Sequence, residues 1–194
     1  NDAANSEEEF WESGARDAEE LLKPARSAIK QFSRALDFGS GTGRLLPFMA
    51  QVFDSVIGID VSFEALRRSE QLQAGVELVQ SSGEGLEVFR DSSFDFVYSF
   101  ACLGHLPTHV LLRFLVECKR VLRLGGVASL QLYLGRTQST VKEDSIAIRA
   151  YEESACLELF KQLQFDVLVL KPLEMPYEAK SLSLGLAPFI IVLQ

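Results

Sequence analysis

Seven short apolar runs, separated in most places by amphipathic stretches, are the feature that most limits the folds open to this chain. Most of the runs are apolar on both faces, which is typical of parallel strands covered by helices on both sides of a sheet. The alternation of such runs with helical patterns predicts an α/β protein. The runs lie at residues 34–38, 55–60, 76–80, 94–100, 127–134, 165–170 and 189–193.

The spacing of apolar residues between the runs predicts three clear helices. The first begins near Ser6 and ends or kinks at Pro24, the second begins near Thr108, and the third extends loosely from Thr140 to Leu163. Only a loop broken by glycine and proline separates the last two apolar runs. Because no crossover helix connects that pair, we expect its two strands to be antiparallel.

Composition and charge exclude several classes of protein. With 194 residues, 47% of them hydrophobic, the chain can bury a core large enough to exclude intrinsic disorder. Its longest apolar stretch is about eight residues, well short of the roughly twenty that a membrane-spanning helix needs. The 27 acidic and 19 basic residues give a net charge of -8. We therefore expect neither a nucleic-acid partner nor binding to an anionic membrane.

The cysteines and the start of the sequence indicate the compartment. Cys102, Cys118 and Cys156 are odd in number and lack metal-ligand spacing, so we expect reduced thiols and no metal site. Asn1 and Asp2 open the sequence without the basic and apolar segments of a signal peptide. Both observations favour a cytoplasmic location.

The most informative segment is residues 36–44, Leu-Asp-Phe-Gly-Ser-Gly-Thr-Gly-Arg, where an apolar run leads into three glycines. A dinucleotide-binding fingerprint needs a small residue where Arg44 stands, and the Gly-Lys-Ser/Thr of a P-loop is absent. Asp37 precedes the glycines, and Asp60 closes the next run, where a carboxylate can accept hydrogen bonds from ribose hydroxyls. The pattern predicts a nucleoside ligand that carries a cation. A tight turn without a ligand is the alternative.

Five segments in order resemble the motifs of the class I S-adenosylmethionine-dependent methyltransferases, especially the small-molecule branch (type 11). Residues 36–44 look like that family's first motif, and residues 56–62 look like its second. The others are residues 81–86, residues 91–99 with the loop His105-Leu-Pro107, and residues 117–126.

The resemblance implies a fold and a domain organisation. The fold is a three-layer α/β/α Rossmann-like sandwich with a seven-stranded, mostly parallel sheet in the order 3-2-1-4-5-7-6 and an antiparallel last strand. Residues 1–194 would form a single methyltransferase domain. Residues 1–31 would be a helical segment at its edge or a lid over its cofactor site.

The resemblance also implies S-adenosyl-L-methionine as the cofactor, S-adenosyl-L-homocysteine as its product, and a small-molecule methyl acceptor. Arg16 on the N-terminal helix could pair with the cofactor carboxylate. Ser82 stands where the family usually carries an acid that binds the adenine amino group. The implied cofactor-binding residues are Asp37, Phe38, Gly39, Ser40, Gly41, Gly43, Asp60, Val61, Ser82, Gly83, Glu84, Ser99, Phe100 and Arg16.

Catalysis of methyl transfer needs alignment and a dry pocket, and a general base only when the acceptor must lose a proton. His105 is the candidate base, and a histidine that only shapes the pocket is the alternative. The motifs of exocyclic-amine and cytosine-carbon methylation of bases are absent around Ser99 and Cys102. The other functions considered are a non-catalytic cofactor-binding module of the same fold and, less compatible with Arg44, an NAD(P)-dependent oxidoreductase.

Overall fold

The computed structural model describes residues 2–69, 75–83, 85–135, 148–173 and 186–194. The helices among these residues are α1 (Asp2–Ala25), α2 (Leu46–Met49), α3 (Phe63–Ser69), α4 (Thr108–Val121) and α5 (Glu153–Gln162), with a 3-10 turn at Leu103–His105. The strands are β1 (Arg34–Phe38), β2 (Ser55–Asp60), β3 (Val76–Gln80), β4 (Phe94–Ser99), β5 (Leu122–Gly135), β6 (Ala150–Tyr151), β7 (Val167–Pro172) and β8 (Leu186–Leu193).

The strands form one sheet in the order β3-β2-β1-β4-β5-β8-β7. Pairing is parallel from β3 through to β5, whereas β8 is antiparallel to both β5 and β7. The short strand β6 pairs with the end of β5, off the main path. Since β7 and β8 are the sixth and seventh of the expected strands, the predicted strand order and the antiparallel last strand are confirmed.

The segment before β7 differs from its sequence prediction. A helix was expected from Thr140 to Leu163, but α5 begins only at Glu153, and residues 140–147 lie outside the described residues. Ala150 and Tyr151 instead pair with Tyr133 and Leu134 of β5. These two residues therefore pair with the end of β5, beyond the part that pairs with β4, and are not helical. The local periodicity of the sequence could not predict this pairing, because the partner strand lies elsewhere in the chain.

Two hydrophobic clusters lie on opposite faces of the sheet because successive strand residues point to opposite sides. In β1, Leu36 and Phe38 belong to the cluster covered by α4 and α5, and Ala35 belongs to the cluster covered by α1 and α2. The alternation places Asp37 on the α1 side with Ala35. The result is three layers, helix–sheet–helix, as predicted.

Helix α1 is part of the packed structure. Leu21 and Ala25 are fully buried, and the buried Ser129 hydroxyl donates a 2.8 Å hydrogen bond to the Leu21 carbonyl. Lys171 forms a 2.6 Å ion pair with Glu20. The last turns of α1 therefore cover one face of the sheet. Among the described residues, no helix has both the length and the hydropathy to cross a membrane.

The burial of α1 predicts that Leu21→Ala lowers the free energy of unfolding by about 2–5 kcal/mol, because it leaves a cavity between helix and sheet. Urea denaturation measures this loss. Glu19→Ala, at an exposed position of the same helix, is the control and should change stability by no more than about 0.5 kcal/mol. A loss for Leu21→Ala as small as that of the control would mean that α1 is not part of the core.

Candidate functional site

The carboxyl ends of β1, β2 and β4 meet at one edge of the sheet. Strand β1 pairs in parallel with both β2 and β4, and Asp37 lies opposite Gly58 on one side and Tyr98 on the other. In open parallel sheets, the crevice beyond such strand ends, where the strand order reverses, is the usual ligand site. The predicted site residues converge on this edge.

The glycine loop after β1 has a left-handed backbone at each glycine. Gly39, Gly41 and Gly43 have φ angles of 76°, 54° and 79°, which side chains with a Cβ disfavour. The amides of Gly39 and Ser40 both donate to the Ile59 carbonyl, at 2.9 and 3.1 Å. The loop thus stays paired with the end of β2 while it turns across the strand ends.

Gly39 and Gly41 are glycine for different reasons. A Cβ at Gly39 would collide with the side chain of Cys102, so this glycine is needed for packing as well as for its φ angle. A Cβ at Gly41 would meet no atom within 4 Å. The open space beside Gly41 leaves its backbone accessible to a ligand.

The Asp60 carboxylate holds the glycine loop in place. Its Oδ2 accepts a 2.8 Å hydrogen bond from the Gly41 amide, and its Oδ1 accepts one of the same length from the Ser62 amide. Each carboxylate oxygen has a further lone pair for another donor. Asp60 can therefore shape the loop and accept hydrogen bonds from a ligand at the same time.

A cleft of about 80 Å³ opens beside these residues. It contains five of the predicted cofactor-binding residues and four that the prediction missed. Ile59 and Ser81 directly adjoin predicted residues, and Leu106 adjoins the candidate base His105. Cys102 lies two residues after the predicted Phe100, so proximity in sequence was the available signal for all four. The lining residues are Phe38, Gly39, Ile59, Asp60, Val61, Ser81, Gly83, Cys102 and Leu106.

Asp37 is a buried carboxyl beneath the loop, with only 3% of its surface exposed. Burial raises its pKa to about 8, the nearby Asp60 carboxylate adds to the rise, and the Arg44 guanidinium opposes it. Near neutral pH this carboxyl therefore retains its proton in the free protein. A cation bound nearby would favour its charged form.

Arg44 connects the glycine loop to α1. Its guanidinium donates to the Asp17 carboxylate at 2.6 Å and to the Ser13 hydroxyl at 3.0 Å, and it lies 5.8 Å from the centre of the Phe100 ring. In the sequence, Arg44 is informative only because it excludes a dinucleotide site. In the structure, it holds the N-terminal helix against the site.

Other predicted residues have internal roles. The buried Ser99 hydroxyl donates a 2.7 Å hydrogen bond to the Phe38 carbonyl, which ties β4 to β1. Ser40 is buried and its side chain faces Gly58, while the Gly43 amide donates to the Ser40 carbonyl. These contacts shape the loop and the strand ends beneath it.

Ser82 and Arg16 lie further out than the residues of the cleft. Ser82 is exposed next to the cleft residue Gly83, and Glu84 lies outside the described residues. The Arg16 side chain is 54% exposed, with its guanidinium 4.0 Å from Asp17. Direct contact of Arg16 and Ser82 with a ligand stays a prediction.

His105 ends the 3-10 turn that follows β4 and does not line the cleft. Arg149 holds this turn through two 2.7 Å hydrogen bonds, from its amide to the Gly104 carbonyl and from its guanidinium to the His105 carbonyl. The His105 Nδ1 is buried and has no hydrogen-bond partner in the described part of the chain. The role of His105 as a base stays a prediction.

Neither a metal site nor a cysteine nucleophile follows from the arrangement. In residues 2–69, 75–83, 85–135, 148–173 and 186–194, no group of three or more His, Cys, Asp or Glu side chains is placed to hold a metal ion. Burial, followed by the charges of Asp60 and Asp37, raises the pKa of Cys102 to about 12. The Cys102 thiol is therefore protonated, and it serves as a wall of the cleft.

Comparison with known proteins identifies relatives of this chain. Residues 36–130 match a family model described as a methyltransferase domain. The chain is 30% identical over 126 residues to the trans-aconitate 2-methyltransferase of Azoarcus sp. (strain BH72), covering 63% of this chain and 47% of that protein. It is 25% identical to alpha N-terminal protein methyltransferase 1 of Caenorhabditis elegans, covering 86% and 82%.

Solved structures share the fold. The crystal structure of an S-adenosylmethionine-dependent methyltransferase from Clostridium acetobutylicum ATCC 824 matches with a TM-score of 0.71 and 14% identity, covering 91% of this chain and 89% of that one. This likeness supports the fold. The chain spans about half the length of the first two curated relatives that it matches, 47% and 48%.

The buried Asp37 carboxyl predicts that stability falls as pH rises. Its folded pKa of about 8 exceeds the ordinary value of 3.8, so the folded state keeps a proton that the unfolded state releases between these pH values. The free energy of unfolding should therefore fall by up to about 1.4 kcal/mol per pH unit across that window. Asp37→Asn removes this dependence.

Urea denaturation at about pH 5 and about pH 8 measures the effect, and the stability advantage of Asp37→Asn over the parent should grow with pH. Asp54→Asn, at an exposed carboxyl, is the control. A constant difference between the Asp37 variant and the parent at both pH values would contradict the assignment.

Proposed function

The chain belongs to the class I S-adenosylmethionine-dependent methyltransferases, and we propose that it transfers the methyl group of S-adenosylmethionine to a small-molecule acceptor. The family match confirms the resemblance seen in the sequence and the cofactor that it implied. The observation that carries the proposal is the Asp60 carboxylate, which faces the cleft and holds the open Gly41 loop. A tight turn without a ligand would not need this combination.

The residues around the cleft fit the parts of the cofactor. Asp60 would accept hydrogen bonds from the ribose hydroxyls, and the bare backbone beside Gly41 would adjoin the methionine part. Val61 and Gly83 would border the adenine, which suits a largely apolar cleft wall. Bound S-adenosylmethionine supplies an electrophilic methyl group on a sulfonium cation. The Asp37 carboxyl under the loop would be favoured in its charged form beside that cation.

The contribution of the chain to the reaction would be alignment and the exclusion of water. The turn at Leu103–His105 follows β4, and Arg149 holds it by two hydrogen bonds. His105 on this turn would accept a proton from an acceptor that has to lose one. For an acceptor that needs no deprotonation, the turn would serve only to position it.

A small-molecule acceptor is favoured by charge. The net charge of -8 would repel a phosphate backbone, so DNA and RNA are poor candidates. The relative named trans-aconitate 2-methyltransferase is named for a small-molecule substrate, whereas the relative from Caenorhabditis elegans is named for a protein substrate. Methylation of a protein is the outcome that the acceptor test must distinguish.

The cofactor assignment predicts that S-adenosylhomocysteine gives a calorimetric binding signal and that NADH gives none. Asp60→Asn should weaken S-adenosylhomocysteine binding by roughly 2 kcal/mol, because it removes a charged hydrogen-bond acceptor. Gly41→Ala should also weaken binding, since its Cβ would occupy the open space beside the loop.

Glu64→Gln is the matched control for this experiment, because Glu64 is an exposed carboxylate on the neighbouring helix α3. It should leave the dissociation constant unchanged. Binding of NADH without binding of S-adenosylhomocysteine would overturn the cofactor assignment.

The acceptor assignment predicts where a transferred methyl group is found. When the protein is incubated with methyl-labelled S-adenosylmethionine and a cell extract, label should appear in the low-mass fraction. Asp60→Asn should reduce that labelling in line with its weaker cofactor binding. Label found only in RNA or protein would contradict a small-molecule acceptor while leaving the cofactor assignment intact.

A further inference from the structure

A second cavity lies between α4 and α5, against β5, and is separate from the cleft at Asp60. Its volume is about 240 Å³. The walls come from both helices and from the sheet, and they are apolar. The apolar walls include Leu111, Leu115, Leu132, Leu159 and Phe160.

The exposed rim of this α4–α5 cavity lies at the same edge of the sheet as the cleft. Thr108 is the first residue of α4, and Tyr151 and Glu152 immediately precede α5. Leu106 lines the cleft, only two residues before Thr108. The cavity therefore opens next to the turn that carries His105, on the reactive side of the domain.

The polar groups of the cavity select the charge of an occupant. Glu152 is the only charged residue among the described lining residues, and it is exposed at the rim. The Tyr151 hydroxyl oxygen is buried, and the Thr108 hydroxyl lies near it without hydrogen-bond geometry. The Arg149 guanidinium, which donates to the His105 carbonyl, also acts electrostatically on Tyr151. Glu152 is the charged group that lines the cavity itself, so a cationic or hydrogen-bond-donating end of an occupant would complement it, and an anion would be repelled by it.

The volume of the cavity limits the size of the apolar part of a bound molecule. A dry apolar cavity of roughly 150 Å³ is large enough to bind benzene. At about 240 Å³, the α4–α5 cavity can hold one aromatic ring with a short chain. Its leucine and phenylalanine walls offer no polar partner for a more hydrophilic body.

We propose that the α4–α5 cavity binds the apolar body of the methyl acceptor, a small amphipathic molecule with about one aromatic ring and a neutral or cationic polar end. The polar end lies at the rim with Glu152 and Tyr151, beside the turn at Leu103–His105. This assignment rests on the proposed function, and it narrows the acceptor to a class that neither the glycine loop nor the family match specifies.

The first test compares two probes of equal length, 3-phenylpropylamine and 3-phenylpropionate, by calorimetry on protein saturated with S-adenosylhomocysteine. The amine should bind at least about tenfold more tightly than the acid, because only the amine complements Glu152. Glu152→Gln should reduce this preference to less than about threefold. Equal affinity of the parent protein for the two probes would overturn the proposal.

The second test blocks the cavity from its rim. Ala155 is an exposed lining residue on α5, so Ala155→Trp places a large side chain over the cavity without disturbing the core. It should weaken amine binding at least about tenfold and reduce methyl labelling of the low-mass fraction to a similar extent. Leu157→Trp is the matched control, since Leu157 is exposed on the same helix outside the lining.

The two proposals fail in different ways. If S-adenosylhomocysteine does not bind the parent protein, the proposed function fails. If it binds the parent and Ala155→Trp equally well, but Ala155→Trp keeps full amine binding and full labelling, the cavity proposal alone is overturned. Loss of amine binding and labelling with unchanged S-adenosylhomocysteine binding supports it.

Discussion

Parallel pairing of β1 with both β2 and β4 is the constraint on which the site depends. Parallel strands end at the same edge of the sheet, so three chain segments distant in sequence leave it side by side. The first supplies the glycine loop, the second ends at Asp60, and the third continues into the turn at Leu103–His105. Hydrogen bonds from Gly39 and Gly41 to the end of β2 then combine the first two into one surface.

Acidic groups are concentrated at this edge of the sheet. The basic side chain that partly offsets them is bonded to the N-terminal helix α1. Burial raises the pKa of the Asp37 carboxyl, and the nearby Asp60 carboxylate adds to that rise. The compensating cation in the free protein is Arg44, and Arg44 is also bonded to Asp17 of α1. A cationic ligand at the loop would act on the Asp37 carboxyl, as Arg44 does. Arg44 therefore links the charge balance under the loop to the position of α1.

The sequence predicts the parts of the structure that depend on local pattern or on a known order of motifs. Glycine spacing and the position of Asp60 identified the loop and its partner, and the five motifs implied the strand order that the structure shows. Pairing between distant segments left no such signal. Ala150 and Tyr151 pair with the end of β5 although their local sequence is compatible with helix.

Contacts between the helices and the sheet could not be predicted from the sequence either. Arg44 looked informative only for what it excludes, because its partner Asp17 lies in a helix whose position depends on tertiary packing. The α4–α5 cavity depends on the separation of two helices, which no pattern within either helix encodes. Cofactor recognition is thus readable from a short motif, whereas acceptor recognition depends on how elements distant in sequence pack.

The proposed reaction gives cofactor binding and acceptor binding different roles in catalysis. A methyl group leaving a sulfonium disperses positive charge, so carboxyl groups beside the cation stabilise the bound cofactor at least as well as the transition state. Interactions of that kind tighten binding without accelerating the chemical step. The acceleration must then come from holding the acceptor in line with the methyl group, which is an alignment effect. In this chain the elements available for alignment are the turn held by Arg149 and the rim of the α4–α5 cavity beside it. The glycine loop would therefore decide which cofactor binds, and packing around α4 and α5 would decide which acceptor reacts.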